Sequence, residues 1–160
     1  MLDPIDLHIL GLLQANARIP QAEIARLVGL APSAILERVR KLEARGVIRG
    51  YVADIDPRVL DQRLLAFVAV RTTDRPGEAR VGQALAAVPE VLEVQHVAGD
   101  DCRLRKVRAR DPEHLSQILR ERLGHVEGVR STRTTIVLES IKETSRLPIP
   151  VADRAEEVPS

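Results

Sequence analysis

The apolar and polar positions of residues 31–51 follow the period of an α-helix. Ile35, Val39 and Leu42 recur near helical spacing, and most of the positions between them are basic. Pro32 is suited to the first turn of a helix, and Gly46 is suited to its end. The pattern therefore predicts a short helix with one apolar side and one basic side. The basic side carries Arg38, Arg40, Lys41, Arg45 and Arg49.

Two shorter helical patterns precede this basic helix. The first begins with Asp3-Pro4, a capping carboxylate followed by a proline, and runs to about Asn16 with an apolar face. The second runs from about Pro20 to Gly29 and leaves room only for a tight turn before the basic helix. Two short helices joined by such a turn predict a helix-turn-helix, with the first helix as the third side of its core. Residues 47–48 and 51–53 predict a short strand or wing after it.

The rest of the chain alternates between strand and helix patterns. A polar segment that contains a proline, residues 54–63, separates it from the three helices. Strand patterns occupy residues 64–71, 91–97, 103–110 and 132–141. Helical patterns begin at residues 75–77 and at residue 111. The order βαββαβ predicts an α+β protein whose second domain is ferredoxin-like, an antiparallel sheet with both helices on one face.

The second face of this predicted sheet has no helix to cover it. Residues 64–71 are apolar on both faces, so we expect that second face to pack on another subunit. The predicted organisation is a helix-turn-helix domain at residues 1–53, a linker at 54–63 and the ferredoxin-like domain at 64–142. Residues 143–160 hold prolines among charged residues and predict a flexible tail.

Composition narrows the class of protein. Of 160 residues, 44% are hydrophobic and 29% are charged, which is typical of a globular protein, and the net charge is only +1. The aromatic content of 1% argues against a stacking platform for single-stranded nucleic acid. A single cysteine excludes an intramolecular disulfide and a cysteine-rich zinc site. Because no apolar run has transmembrane length and the N-terminus does not resemble a signal peptide, we expect a cytoplasmic protein.

Candidate catalytic or metal-binding residues are few. His96 and Cys102 flank a Gly-Asp-Asp turn and could pair across a hairpin, as a nucleophile and its base or as half of a metal site. A strand histidine and a small buried thiol are the better interpretation, and the HExxH and GxSxG motifs are absent. His8, His114 and His125 are expected to be exposed to solvent. We predict no catalytic residue, no metal and no cofactor.

Four stretches resemble, in sequence and in order, motifs of the Lrp/AsnC family, the feast/famine transcription regulators of bacteria and archaea. They are LDPIDLHILGLLQANAR, AEIARLVGLAPSAILERVRKLEARGVIRGYVADID, the GDD turn and GVRSTRTTIVLESIK, within residues 2–142. The resemblance implies a winged or simple helix-turn-helix that binds double-stranded promoter or operator DNA. It also implies a ferredoxin-like ligand-sensing (RAM) domain that responds to an amino acid or a related metabolite. Such proteins are not enzymes; they form homodimers and often octamers, and they act on the nucleoid in the cytoplasm, away from membranes.

The resemblance also assigns residues to a DNA-binding surface. A basic helix of this size fits a DNA major groove, although an ordinary amphipathic surface helix has a similar pattern. The N-terminal half and outer side of the helix face DNA in the family. The matching residues are Ser33, Ala34, Glu37, Arg38 and Lys41. Arg40 and Arg45 are interpreted as phosphate contacts or as solvated side chains.

An effector site is assigned in the same way to the turn before the third strand and to the last strand. The matching residues are Gly99, Asp100, Asp101, Cys102, Thr132 and Thr134. A carboxylate can hold an α-ammonium group, while turn N–H groups and threonine hydroxyls can hold an α-carboxylate. The alternative interpretation is that the Gly-Asp-Asp sequence forms only a hairpin turn, since both residue types favour turns.

Several positions depart from the family pattern. Pro20 and Ala31 replace the serines that usually cap two helices, and Asp61 stands where glycine is usual in the hinge. Arg103 and Arg105 stand where the family has aromatic and aliphatic residues, on a strand face that is expected to be buried.

The two arginines leave three interpretations open. Acids such as Glu93 pair with them, the face is open to solvent in this protein, or they have a purpose of their own. Added positive charge near an effector site would favour an anionic ligand over a cationic one, or would disrupt the pocket.

Two other functions remain open from the sequence. One is a ferredoxin-like ligand-binding or enzyme domain whose N-terminal helices serve dimerisation. The other is a regulator that has lost its response to an effector.

Overall fold

The computed structural model describes residues 1–73, 80–98 and 103–150. These residues form two compact units. The first unit is Met1–Asp54 together with the described chain after Glu143, and the second unit is Ile55–Glu143.

Three helices build the first unit. They are α1 (Pro4–Ala15), α2 (Gln21–Val28) and α3 (Pro32–Ala44). Asp3 caps α1, because its side chain accepts a hydrogen bond from the Asp6 backbone N–H at 2.7 Å, and the Asp6 side chain accepts one from the Asp3 backbone N–H. Gly29 ends α2 in the left-handed conformation, with φ 77°, a position that glycine occupies without a steric cost. Pro20 and Ala31 occupy the caps of α2 and α3 without a side-chain hydrogen bond, as the sequence predicts.

The apolar faces of the three helices meet in one small core. Its fully buried members are Ile9 from α1, Ile24 from α2, and Ile35 and Leu42 from α3. Each lies on the apolar side that the sequence pattern predicts, so the helix-turn-helix prediction is confirmed.

The strand or wing predicted after α3 is wrong in the structure. Residues 45–63 contain no strand. Instead, the N–H groups of Val47 and Ile48 both donate to the carbonyl of Leu42, which closes the end of α3. Tyr51 Oη then donates to Glu43 Oε1 at 2.9 Å, so the segment turns back along α3 without pairing to another strand of the described chain.

The linker ends in a short 3-10 turn at Pro57–Leu60. Asp61 follows it with φ 56°. Among the residues that the structure describes, Asp61 is the only non-glycine residue with a positive φ. Aspartate tolerates this conformation better than most residues, although glycine adopts it more easily.

The second unit is a four-stranded antiparallel sheet. Its strands are β1 (Leu64–Thr72), β2 (Val91–His96), β3 (Arg103–Ala109) and β4 (Val129–Val137), in the spatial order β2-β3-β1-β4. Its helices are α4 (Arg80–Ala86) and α5 (Pro112–Gln117), and α5 continues as a π-helical segment, Ile118–Leu123. This order is the ferredoxin-like arrangement, so the predicted α+β fold is confirmed.

The core of the second unit lies between the helices and one face of the sheet. Ala66, Val68 and Val70 of β1 point into it and are fully buried. Residues from the helices close it from above: Val81, Leu85, Leu115, Ile118 and Leu123. On the other face, Leu65 and Ala69 are almost fully buried and Phe67 is 36% exposed. We call this other side, which carries Leu65, Phe67 and Ala69, the open face.

Two predicted boundaries differ from the structure. The last strand begins at Val129 and ends at Val137, earlier at both ends than the predicted residues 132–141. Gly128, directly before it, has φ 96° and approaches Val81 so closely that a Cβ would lie 2.7 Å from Val81 Cγ2. The predicted opening of the first sensing-domain helix at residues 75–77 lies outside the described residues.

Candidate nucleic-acid interface and effector region

One side of α3 brings together most of the residues predicted to face DNA. They line a groove of about 290 Å³ beside α1. Its lining includes Asp6, Ala34, Glu37, Arg38, Lys41 and Arg45. These α3 residues share a face because their spacing follows the helical period. Ser33 is exposed at the start of α3, and Arg40 lies apart, on a second groove that it shares with Glu43 and Tyr51.

Arg38 is held by two carboxylates of α1. Its Nη1 donates to Asp3 Oδ2 and to Asp6 Oδ1, each at 2.7 Å, and 31% of its side chain is exposed. Hydrogen bonds to Asp3 and Asp6 raise the pKa of Arg38. The bond from the Asp6 backbone, followed by that from Arg38, lowers the pKa of Asp3. The arginine thus ties α3 to α1, a role that the sequence analysis missed because Asp3 and Asp6 lie 35 and 32 residues away from Arg38 along the chain.

Glu37 and Lys41 form a pair one helical turn apart. Lys41 Nζ lies 2.6 Å from Glu37 Oε1, and about two thirds of each side chain is exposed. The hydrogen bond from Lys41 lowers the pKa of Glu37. An exposed pair of this kind is weak, so the Lys41 ammonium can leave Glu37 and pair with a phosphate instead.

Three basic residues at the C-terminal end of the helix region are exposed. They are Arg40, Arg45 and Arg49, and none of them has an ion pair within the described chain. Their charge is therefore available to a polyanion, which is the electrostatic requirement for binding a DNA backbone.

The predicted effector residues are only partly described. Gly99, Asp100, Asp101 and Cys102 lie outside the described residues. Thr132 and Thr134 lie on β4, opposite Val70 and Val68 of β1, so they share the helix-covered face. Thr132 is exposed and Thr134 is half-buried, which leaves at least one hydroxyl open to a ligand.

Arg103 and Arg105 lie on the helix-covered face of β3, as strand parity predicts. Arg103 is 7% exposed and Arg105 is completely buried. Burial, and then the charge of Arg103, lowers the pKa of Arg105 to about 10, so its guanidinium still carries a positive charge at neutral pH. Of the interpretations left open above, an open face is therefore wrong. Pairing with Glu93 is also wrong, because Glu93 Oε1 lies 3.4 Å from Lys106 Nζ, on the other face of the sheet.

The open face carries a charged cluster that the sequence analysis did not identify. Glu143 lies in the segment after β4, and its carboxylate reaches Lys106 Nζ at 2.6 Å and Arg108 Nη2 at 2.7 Å on β3. The hydrogen bond that Lys106 donates to Glu143 raises the pKa of Lys106 and lowers the pKa of Glu143. The partners are 35 to 37 residues apart in the sequence, so no local sequence pattern predicts that they pair.

The histidines are more varied than predicted. His96 and His125 are exposed, whereas His8 and His114 are half-buried, so the exposure predicted for these last two is wrong. His114 is drawn in because its Nδ1 accepts a hydrogen bond from the Arg110 N–H at 3.2 Å, next to the cap of α5.

The described residues contain neither a metal-binding cluster nor a membrane-spanning helix. Within residues 1–73, 80–98 and 103–150, no three histidine, cysteine or acidic residues are grouped so that they could hold a metal ion. In that same part of the chain, no helix has the length and apolar character needed to cross a membrane.

Both units match family models. Residues 2–49 match a winged helix-turn-helix DNA-binding domain, and residues 65–147 match the Lrp/AsnC ligand binding domain. The chain is 41% identical over 149 residues to the HTH-type transcriptional regulator FL11 of Pyrococcus horikoshii, which covers 92% of this chain and 97% of that protein. It is 42% identical over 151 residues to the leucine-responsive regulatory protein of Salmonella typhimurium, which covers 92% of each.

Solved structures show the same fold. A transcriptional regulator from Neisseria meningitidis in complex with L-methionine is 30% identical, with a TM-score of 0.86 over 94% of this chain and 98% of that one. A feast or famine regulatory protein from M. tuberculosis, also complexed with L-methionine, is 35% identical, with a TM-score of 0.86 over 94% of this chain and all of that one. The order of the domains, the sheet topology and the sequence identity over the whole length agree: the chain belongs to the Lrp/AsnC family of DNA-binding transcriptional regulators, which are not enzymes.

Proposed function

We propose that this regulator binds promoter DNA as a homodimer through α3 and changes its binding in response to a small amino acid. The observation that carries the proposal is the groove beside α1, because five of the seven candidate DNA-binding residues line it: Ala34, Glu37, Arg38 and Lys41 of α3, and Arg45 directly after that helix.

The α3 residues have different roles in this proposal. Ser33, Ala34 and Glu37 reach base edges, since they lie on the outer side of its N-terminal half. Lys41, Arg40 and Arg45 contact phosphates, which contribute affinity without sequence preference. Arg38 joins the groove while it is anchored to α1, so it both positions α3 and presents its guanidinium to DNA.

The proposed effector site combines the residues 99–102 with the hydroxyls of Thr132 and Thr134. Two of the similar solved structures are complexes with L-methionine, which supports an amino acid as the ligand class. In this site Asp100 or Asp101 holds the α-ammonium group, while N–H groups and threonine hydroxyls hold the α-carboxylate.

The open face supports the proposed assembly. Phe67 is 36% exposed on this face, between the nearly buried Leu65 and Ala69, and a second sheet that packs face to face would cover its ring. A twofold dimer would place two copies of α3 about one helical turn apart on a palindromic site. The same proposal includes further assembly into an octamer and action on the nucleoid in the cytoplasm. It also includes the predicted domain limits, which are 1–53, 54–63, 64–142 and 143–160.

The DNA-binding part is tested with natural promoter fragments in a gel-shift assay at several salt concentrations. The parent should bind selectively, and Lys41→Ala should weaken binding to all sequences alike and reduce the salt slope by about one. Arg120→Ala is the matched control, because Arg120 is an exposed arginine of the second unit. Equal binding by the parent, Lys41→Ala and Arg45→Ala would remove α3 from the DNA interface.

The effector part is tested by calorimetric titration of the twenty amino acids. At least one should bind the parent, and Asp101→Ala and Thr134→Ala should each lose most of that affinity. Heat from none of the twenty would support a regulator that has lost its response, and unchanged binding by both variants would place the site elsewhere.

A further inference from the structure

The described chain after Glu143 belongs to the first unit, and Gln14 of α1 holds it there. Gln14 Nε2 donates a hydrogen bond to the Leu147 carbonyl at 2.6 Å, and Gln14 Oε1 accepts one from the Leu147 N–H at 3.0 Å. One side-chain amide thus satisfies both backbone polar groups of Leu147, as a neighbouring strand would. This paired contact fixes the position of Leu147 on α1.

The sequence around this contact favours an extended chain. Leu147 and Ile149 each precede a proline, and the residue before a proline is biased toward extended conformations. The backbone groups of an extended segment have no partner within the segment, so a side chain such as Gln14 can pair with them. Ile149 is half-buried, whereas the other residues from Thr144 to Pro150 are exposed. The chain therefore lies against the surface of the protein at Ile149 as well as at Leu147.

Gln14 borders the groove that Arg40 lines with Tyr51, which we call the second groove. Leu13, the residue before Gln14, lines this groove of about 310 Å³ together with Ile19 and Leu36. These three side chains are half-buried, so the groove offers apolar surface that the first unit leaves partly uncovered. Because Arg40 is exposed, a positive charge lies beside that apolar surface. Such a groove suits an extended segment that has both apolar and acidic side chains.

Residues 151–160, which we call the terminal segment, have this composition. Their sequence, VADRAEEVPS, contains two valines and three acidic residues against one arginine, and Glu156 and Glu157 are adjacent. Arg40 forms no ion pair within the described chain, so its charge is open to a carboxylate. Glu43, an acid that also lines the second groove, accepts the hydrogen bond of the tyrosine hydroxyl there. The charges of the groove and of the terminal segment are therefore complementary at Arg40.

The terminal segment is long enough to lie along α3. Ten extended residues span up to about 35 Å, whereas α3, with 13 residues, is about 20 Å long. Because the segment is tethered to the first unit, its effective concentration at the groove is on the order of millimolar. Contacts with a dissociation constant of about one millimolar therefore fill the groove roughly half of the time.

We propose that the terminal segment docks in the second groove, where Glu156 and Glu157 pair with Arg40 in competition with DNA. The competition rests on the proposed function, in which Arg40 contacts a phosphate. A carboxylate bound to this guanidinium excludes a phosphate from the same N–H donors. The terminal segment thus lowers the affinity of the regulator for DNA, and DNA in turn displaces the segment.

Tyr51 reports on docking in the absence of DNA. It is the single tyrosine of a chain that has no tryptophan, it lines the second groove and it is 48% exposed. A docked segment shields its ring, so acrylamide should quench tyrosine fluorescence less in the parent than in the full-length variant Glu156→Gln/Glu157→Gln. Gln14→Ala releases the chain at Leu147 and should show the same stronger quenching, while alanine keeps α1 helical.

DNA binding measures the competition. In gel shifts on a natural promoter fragment, Glu156→Gln/Glu157→Gln should bind roughly twofold more tightly than the parent, because the parent binds through Arg40 only when the groove is free. Glu113→Gln/Glu139→Gln is the matched control, since it removes the same charge from exposed positions of the second unit. The control should bind DNA as the parent does.

Two results would overturn the docked segment. One is acrylamide quenching of Tyr51 that is the same in the parent, in Gln14→Ala and in the variant without the two terminal glutamates. The other is a DNA affinity of that glutamate variant that equals the affinity of the control. A parent that binds no promoter fragment would refute the proposed function instead, and the quenching of Tyr51 would still decide whether the segment docks.

Discussion

Arg38 on α3 and Asp6 on α1 are joined by a hydrogen bond of 2.7 Å between Nη1 and Oδ1. The bond links the proposed DNA-reading helix to a helix that begins the chain, and only 11% of the Asp6 side chain is exposed. A DNA-reading helix must keep its orientation to the rest of its domain, and this ion pair ties α3 to α1 on the side that we propose faces DNA.

The first prediction concerns this pair. Arg38→Ala and Asp6→Asn should each lower the melting temperature of the first unit by roughly 3 °C, since each leaves the other charge with a lost partner. The double variant should lose less than the sum of the two, because the second substitution removes an interaction already broken. Circular dichroism melts of the four proteins measure this coupling, and strictly additive losses would show that the pair contributes nothing.

The second prediction concerns the pH dependence that Asp3 confers. The pKa of Asp3 lies below its usual value near 3.8, so its contribution is fully present above that value and is lost as the pH falls through the lower folded value. Asp3→Asn keeps a capping side chain but removes the charge. The variant should melt below the parent at pH 7, and the difference should shrink in melts taken as the pH falls to about 2.

The third prediction concerns Gly82. In the parent, Gly82→Ala should reduce the free energy of unfolding by roughly 1–3 kcal/mol, because the new methyl group overlaps the buried guanidinium of Arg103. In the Arg103→Leu background the same change should stabilise the protein by up to about 1 kcal/mol, since alanine favours a helix more than glycine does. Urea unfolding of both pairs tests the idea, and an equal cost in both backgrounds would contradict it.

The fourth prediction concerns Glu143. Glu143→Gln should cost about 1–2 kcal/mol of unfolding free energy, because Lys106 and Arg108, with 17% and 11% of their side chains exposed, lose a shared carboxylate. Its pKa is lowered, so this contribution should be present at neutral pH and be lost as the pH falls through the folded pKa. Glu139→Gln is the control, since Glu139 is exposed on the same segment and should have little effect in urea unfolding.

The fifth prediction concerns assembly. Phe67→Asp places a charge in the middle of the open face, so it should shift the protein toward the monomer at micromolar concentration. Ser116→Asp adds the same charge to an exposed position of α5 and should leave the mass unchanged. Multi-angle light scattering after gel filtration gives the mass of each protein, and a monomeric parent would remove the proposed dimer.

The elements and the family of this protein could be predicted because their signals are local. Asp3-Pro4 indicates the start of α1, and Gly29 indicates the end of α2. Helix caps and left-handed residues affect only the backbone within a few positions of themselves, so a short stretch of sequence is enough to recognise them. Strand parity placed Arg103 and Arg105 on one face for the same reason, because the two-residue period of a strand holds in any fold. The order of these elements along the chain was enough to predict the ferredoxin-like sheet.

Only the tertiary structure decided what those side chains meet. Arg38 bonds to Asp6, 32 residues away in the sequence, and Arg108 bonds to Glu143, 35 residues away. No periodic sequence pattern carries information over such separations. The wing predicted from the β-branched residues after α3 does not form, because a strand requires a neighbouring strand and the described chain supplies none there. Whether Arg105 lies in water or in the core depends on how closely α4 packs on the sheet, and that closeness follows from contacts between distant parts of the chain.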